Sequence, residues 1–376
     1  MDFSFTEEQT LLRNSVSKYL ADRYDFETFK NISRSEAGWS PDSWKQFAEL
    51  GLMAAPLPEE FGGLGGGPVE TMIVMEEFGR ALVVEPFAQT VVIGGGFIKH
   101  GGSAAQKEEW LARIAGGESV IAFAFAEPKG RYDFADLTTT AKKSGSSYTL
   151  SGQKAVVLGA PHADTLIVTA RTSGGQRDRK GVSVFLVDKT AKGVVARDYP
   201  TVDGLRASEI TFENVDVPAD GLIGDADNGL ALIEQVTDEA IAAHASEAVG
   251  AMRVLLDATV EYSKTRKQFG VPIGKFQALQ HRMVDMFMHC EQSASIALMA
   301  TLKLGESETE RKKAASAAKV QIGKAGRFVG QQAVQIHGGM GMTDELNVGH
   351  YFKRLTMLDT LYGDADHHLK RYASLG

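Results

Sequence analysis

Cysteine is nearly absent from this sequence: Cys290 is the single thiol in 376 residues. One cysteine excludes an internal disulfide framework, and no neighbouring residues complete a metal-ligand set with it. Long hydrophobic runs are absent as well, since no stretch approaches the ~20 apolar residues that cross a bilayer. The opening MDFSFTEEQ is acidic where a secretion signal is basic. Positive charge is not in excess either. With 40 Lys and Arg against 48 Asp and Glu, the net charge of −8 gives no electrostatic case for nucleic acid or an anionic membrane. Internal repeats and low-complexity segments are missing. The expectation is a soluble cytoplasmic protein with neither nucleic acid nor membrane as partner. Its 43% hydrophobic content and its length suffice for two or three domains.

What is present changes period along the chain. Residues 1–117 read as helical. Thr6 and Gln9 have the form of a capping box, Ser40-Pro41 that of a cap followed by proline at the first helical position, and helical spacing returns at 69–82 and 104–114. The glycine-rich PEEFGGLGGGP (58–68) lacks the lysine and spacing of a phosphate loop and reads as structural. From about Val120 the period is two. Short strands at 120–126, 137–142, 147–150, 165–170, 182–187, 194–198 and 208–213, divided by turn residues, predict a small β domain over 118–225. Residues 226–376 read as helical again, with patterns at 276–303, 308–338 and 344–374.

Residues 228–270 organise the rest. They read as one long helix ending in a basic loop closed by Gly270. Within it, AIAAHASEAVGA (240–251) is almost wholly small and carries one carboxylate, Glu247, flanked at helical spacing by Ala243, His244, Gly250 and Ala251. A small face admits a ligand close to the backbone. It also leaves the carboxylate partly dry, which raises a carboxyl pKa and suits a base. The alternative is a surface glutamate on an alanine-rich helix.

Several phrases, in order, resemble the acyl-CoA dehydrogenase family: GLMAAPLPEEFGGLGGGPVETMIVMEEFGR, FENVDVPADGLIG, EYSKTRKQFGVPIGKFQALQHRMVDM and QAVQIHGGMGMTDE. The resemblance spans essentially the whole chain, and within the family the chain looks like the small subunit of pimeloyl-CoA dehydrogenase and the paired-subunit enzymes acting on bulky acyl-CoAs. It implies an α+β fold with a helical N-terminal domain (1–117), a middle β-barrel or sandwich domain (118–225) and a C-terminal four-helix bundle (226–376).

The resemblance also implies FAD, an acyl-CoA substrate, an electron-transferring flavoprotein as electron acceptor, and either a homo-oligomer or an α2β2 heterotetramer. By it, Arg266, Phe269, Gln335, Gly338 and Gly339 reach the flavin of a neighbouring chain. An arginine fork suits a pyrophosphate, and glycines let the backbone approach it. The other half-site departs from the family pattern. Ala126-Glu127-Pro128 stands for its Thr-Glu-Pro, and Val156-Val157-Leu158 for its Trp-Ile-Thr, so that backbone amides near Ala126 and Leu158 are left to meet the ring.

The family's base is usually a glutamate after a tyrosine near the C-terminus. Here Gly363 follows Tyr362, leaving only a backbone N–H for the thioester oxygen. A minority of members carry the glutamate at the position of Ala240 on the long helix. Glu247 lies two turns further on nearly the same face and is the expected base; Glu239, Asp364 and Asp366 are the rivals. His244 reads as a residue that tunes Glu247 or packs. Asp366-His367-His368 suggests a metal, but adjacent histidines on a helix point apart, and no metal site is expected. The reaction expected is α,β-dehydrogenation of an acyl-CoA, with a dicarboxylyl, aromatic or steroid side chain. The alternatives are a structural subunit that completes a partner's FAD site, and an oxidase.

Overall fold

A computed structural model describes residues 4–376. In chain order the helices are α1 (Glu7–Arg23), α2 (Phe26–Arg34), α3 (Pro41–Glu49), α4 (Pro68–Ala81), α5 (Gly95–Gly101), α6 (Ala104–Ala115), α7 (Leu230–Thr265), α8 (Gln277–Leu302), α9 (Glu308–His337), α10 (Val348–Thr360) and α11 (Ala365–Ser374). The strands are β1 (Ile121–Ala124), β2 (Thr140–Ser144), β3 (Ser147–Leu158), β4 (Thr165–Arg171), β5 (Val182–Asp188), β6 (Val194–Pro200), β7 (Arg206–Pro218), β8 (Leu222–Ile223), β9 (Lys267–Gln268) and β10 (Val271–Pro272). Helical ends, a β middle and a helical C-terminal region are thus as the periodicities predict. Both helix starts hold: Thr6 Oγ1 accepts from the Gln9 amide at 3.2 Å while Gln9 Oε1 accepts from the Thr6 amide at 3.1 Å, and Ser40 Oγ accepts from Ser43 at 3.1 Å.

The chain forms two compact units. One consists of residues 32–67 and 84–240, the other of the N-terminal residues through Asn31, residues 68–83 and residues 241–376. The first carries a sheet in the order β6-β7-β3-β2-β4-β5-β8, with β1 parallel to β4. Every residue of β4 is buried, as befits a central strand with a continuous apolar run, whereas β6 at the edge is largely exposed. β3 runs past the predicted 150 to Leu158, because it pairs with β7 along its length. In the glycine-rich loop the amides of Gly63, Leu64, Gly65 and Gly66 are spent on the carbonyls of Pro58, Ala54, Leu57 and Ala55. That loop is structural, with those donors unavailable to a phosphate.

The second unit packs the C-terminal half of α7 with α4 and with α8 to α11. Its small-residue face has a different purpose from the one expected. A Cβ on Gly79 of α4 would stand 2.0 Å from the Glu247 carbonyl oxygen, and one on Gly250 would stand 2.0 Å from that of Glu76. The face therefore seats α4 rather than admitting a ligand to the backbone. The helix expected over 344–374 is two helices. Tyr362 (φ +57°) and Gly363 (φ +114°) adopt left-handed backbone between α10 and α11, which ends the first and lets Asp364 cap the second by accepting from the His367 amide at 2.8 Å. The long helix ends at Thr265, and the basic loop expected after it is a two-stranded hairpin of β9 and β10.

Candidate active site

Glu247 lies on α7 inside the helical unit and is 5% exposed, beside Arg354 of α10 at 6%. Arg354 falls on the buried face of its helix with Tyr351, Leu355 and Leu358. Its Nε donates to Glu247 Oε1 at 2.6 Å and its Nη2 to Oε2 at 3.0 Å, a two-pronged clamp. Oε2 also accepts from His244 Nδ1 at 2.8 Å. Burial pushes the Glu247 carboxyl up, but the Arg354 guanidinium, and His244 after it, outweigh that effect and hold it at about 2. The expectation that a dry site raises this carboxyl is therefore overturned: its cause is real, but a cation sits on both oxygens.

His244 is 2% exposed, and its Nε2 has no hydrogen-bond partner among the described residues. Leaving a buried polar atom unpaired costs about 1–3 kcal/mol. Burial lowers its pKa; Glu247 pulls the other way, and the charges of Arg354 and Lys319 lower it further. Its ring stacks on Tyr362, with centroids 6.1 Å apart and planes 27° apart. The cluster thus meets the segment in which Gly363 stands. A Cβ on Gly363 would lie 2.6 Å from His367 Cδ2 and 2.8 Å from His368 Nε2, so no side chain fits there without displacement.

The rival carboxylates are employed elsewhere. Asp364 caps α11 and Asp366 is exposed. In the sheet-bearing unit, Glu239 accepts from His100 Nε2 at 2.6 Å and Lys99 Nζ at 3.5 Å. Ala240 is buried and has no titratable group. His368 turns to Ser316 Oγ and the Tyr362 carbonyl, both within 3.3 Å. Burial and the opposing charges nearby leave the Cys290 thiol at about 12, far from reactive.

Arg266, Phe269, Gln335, Gly338 and Gly339 line one groove of about 770 Å³, together with Tyr262, Arg282 and neighbouring apolar residues. Tyr262 and His337, both lining it, stack with centroids 4.3 Å apart. Arg266 is exposed and has no carboxylate partner among the described residues. No atom lies within 4 Å of the Cβ positions of Gly338 and Gly339. Cationic donors beside open backbone fit a diphosphate, and the groove therefore fits part of a dinucleotide cofactor. The hairpin turn Phe269-Gly270 has φ of +52° and +81°, as a type I′ turn requires, and presents the phenylalanine 92% exposed.

Ala126 and Leu158 lie in the sheet-bearing unit, where the Ala126 carbonyl accepts from Ala155 N–H at 2.8 Å. Leu158 pairs with Ala207 across β3 and β7 and is buried. Between them, a register shift at Lys154/Val157 throws Val156 into the left-handed region (φ +51°) and leaves it 49% exposed. Beneath this bulge Lys154 is fully buried, donating to Glu127 Oε1 at 2.9 Å, Thr169 Oγ1 at 3.1 Å and the Phe125 carbonyl at 3.2 Å. A bulge that re-aims an apolar side chain, fixed by a buried ion pair, is a built surface rather than a defect.

The three domain models of one family account for almost all of the chain. The acyl-CoA dehydrogenase N-terminal, middle and C-terminal domains match residues 6–118, 122–215 and 227–374. The chain belongs to the acyl-CoA dehydrogenase family. It is an enzyme of that family, and its cofactor is FAD. It is similar to the probable acyl-CoA dehydrogenase YngJ of Bacillus subtilis, 30% identical over 371 residues and 97% of each chain. Among solved structures it resembles butyryl-CoA dehydrogenase from Megasphaera elsdenii, at 25% identity and a TM-score of 0.91 over 100% of this chain and 99% of the other. It also resembles a variant of the Tcur3481–Tcur3483 steroid ACAD, at 28% identity and a TM-score of 0.89 over 98% and 97%.

In this acyl-CoA dehydrogenase, two buried ionic contacts escape a sequence reading. Arg354 decides the charge of Glu247 from 107 residues away; its signal is an arginine on an apolar helical face. Lys154 sits in phase with Tyr148 and Leu150 on the buried face of a strand, and that phase marks it as paired.

Proposed function

We propose that the chain is an FAD-dependent subunit that α,β-dehydrogenates an acyl-CoA thioester to the trans-2-enoyl-CoA. Glu247 is its base, and the Gly363 amide is a donor to the thioester oxygen. The observation that carries this reading is the buried His244–Glu247–Arg354 cluster against Tyr362, one residue from Gly363. Removing an α-proton needs a base and fixed donors where negative charge grows on the oxygen. FAD, when bound, supplies the acceptor for the β-hydride. Arg266, Phe269, Gln335, Gly338 and Gly339 face a neighbouring chain's flavin, and the backbone at Ala126 and Leu158 faces this chain's own.

The substrate is a bulky acyl-CoA with a dicarboxylyl, aromatic or steroid side chain, and the similarity to a protein named a steroid ACAD supports the last of these. Electrons pass to an electron-transferring flavoprotein in the cytoplasm. Residues 1–117, 118–225 and 226–376 act as its three domains. Exposed Val284, Phe287 and Met288 on α8 support assembly, as a homo-oligomer or as an α2β2 heterotetramer.

A second reading has its own support. Gly363 has no proton-accepting side chain and both Glu247 oxygens are engaged, as in a structural subunit that lends the Arg266 groove to a partner's flavin. The test is flavin content and bleaching by butyryl-CoA, glutaryl-CoA, phenylpropionyl-CoA and a steroid side-chain acyl-CoA. It is run on the purified chain alone and with any dehydrogenase encoded beside it. Bleaching that disappears in Glu247→Gln while FAD stays bound supports the first reading. If the assembly bleaches normally with that variant, the second reading stands.

A further inference from the structure

We infer that His368 is a positioning residue: it holds the Tyr362 carbonyl and so presents the Gly363 N–H, on the far side of the same peptide, as a fixed donor. This inference rests on the reading above that the Gly363 amide meets the thioester oxygen. The Tyr362–Gly363 peptide is trans, so its C=O and N–H point in opposite directions. His368 is 1% exposed, and its Nε2 lies 3.0 Å from the Tyr362 carbonyl oxygen. A carbonyl only accepts, so Nε2 carries the proton. Burial lowers the His368 pKa to about 3; the bond to Tyr362 opposes it, and the charges of Lys319, Arg371 and His367 add to it. The ring is therefore neutral, and Nδ1 is left to accept from the Ser316 hydroxyl at 3.3 Å. Arg371 Nη1 donates to the same Ser316 oxygen at 3.4 Å, which aims its hydroxyl proton at the imidazole.

Two further observations point to a ligand at this peptide. Gly363 is buried, yet its N–H has no acceptor among the described residues, whereas buried N–H groups are almost always paired. Tyr362 is left-handed at φ +57°, a strained backbone for a tyrosine that persists only where its surroundings impose it. Those surroundings are His244, stacked on its ring, and His368, bonded to its carbonyl. A Cβ at 363 would stand 2.8 Å from His368 Nε2, so the histidine sits where only glycine leaves it room. With the carbonyl tethered, the N–H keeps one direction. The hydrogen bond accepted by the carbonyl also polarises the peptide and strengthens the N–H as a donor. A donor fixed in this way needs no reorganisation as negative charge grows on an oxygen beside it.

Two measurements on the flavin-loaded protein, with its partner where it has one, test this. Tyr362-Gly363 is the single Tyr-Gly pair in the chain. Tyrosine labelled with carbon-13 at the carbonyl and glycine labelled with nitrogen-15 therefore give one correlated signal, from this peptide alone. Its carbonyl carbon should move upfield in His368→Met and return in His368→Gln, which restores a donor near the place of Nε2. An unmoved signal in His368→Met overturns the inference without any substrate. Should that variant not fold, Ser316→Ala takes its place: it frees Nδ1, and the same signal should move the same way by less, an unmoved one again overturning the inference. The second measurement is the infrared band of the thioester carbonyl, labelled with carbon-13, in the trans-2-enoyl-CoAs of the four acyl-CoAs named above. On wild type the band of at least one should fall in frequency; His368→Met should lose most of that fall and His368→Gln regain it. Equal falls in wild type and His368→Met sink the inference and leave the Gly363 reading intact. A wild-type band that stays at its free-solution frequency with all four refutes the Gly363 donor, and the inference goes with it.

Discussion

Replacing Arg354 by methionine should be among the most damaging single changes in the helical unit. The substitution nearly conserves volume, yet it strips Glu247 of the cation bonded to both its oxygens. Arg354 outweighs the effect of burial and holds the carboxyl at about 2, so the charged form is the one the fold keeps. Removing one partner of a buried pair costs about 3–5 kcal/mol, since the other charge is then left dry and unpaired. We expect Arg354→Met to lose about that much in urea unfolding and roughly 10 °C in melting temperature. Glu247→Gln/Arg354→Met should recover most of the loss, because two neutral groups carry no unpaired charge. An Arg354→Met protein within about 0.5 kcal/mol of wild type, or a double mutant whose loss is the sum of the singles, would refute the account of this pair.

Three further outcomes follow from other parts of the molecule. Glu247 has a folded pKa below its unfolded value. The stability it contributes is therefore complete above about 4.5 and is lost as pH falls toward about 2; unfolding midpoints of wild type and Glu247→Gln, apart at pH 6, should converge over that window. Gly250→Ala places a methyl 2.0 Å from the Glu76 carbonyl and should cost about 1–3 kcal/mol or more in chemical unfolding, whereas an ordinary exposed helix would gain from the same change. Phe269→Gly relieves left-handed backbone at a residue 92% exposed. It should leave the chain as stable or up to about 1 kcal/mol more so, yet weaken FAD retention measured by ultrafiltration; unchanged retention would remove Phe269 from the cofactor site.

Much of the fold was legible because its signals are local. Apolar spacing marks α8 and α9 to within a residue or two, alternation marks the seven main strands, and the Thr6 and Ser40 caps need only their next three residues. The order of these periods, with the RKQFG and QIHGGMG phrases, was enough to name the family. The groove around Arg266 was legible as a set of residues, since residues of α9's end and the α7–α8 connection were expected to serve one ligand.

Tertiary structure alone decided the rest. Whether the small face of α7 receives a ligand or another helix depends on Gly79, which lies 168 residues from Glu247 and meets its carbonyl. The break at Tyr362-Gly363 is a backbone conformation that the surrounding helical pattern conceals. The charge state of Glu247 is the clearest case. Its sequence neighbours predict a dry carboxyl with a raised pKa, and the sign reverses because Arg354 arrives from another helix. Sequence determines which ionisable groups are buried through periodicity, a property of nearest neighbours along the chain. Which charges they meet there is set by distances of a few ångströms between residues a hundred positions apart, and in a low-dielectric interior those few ångströms determine the sign.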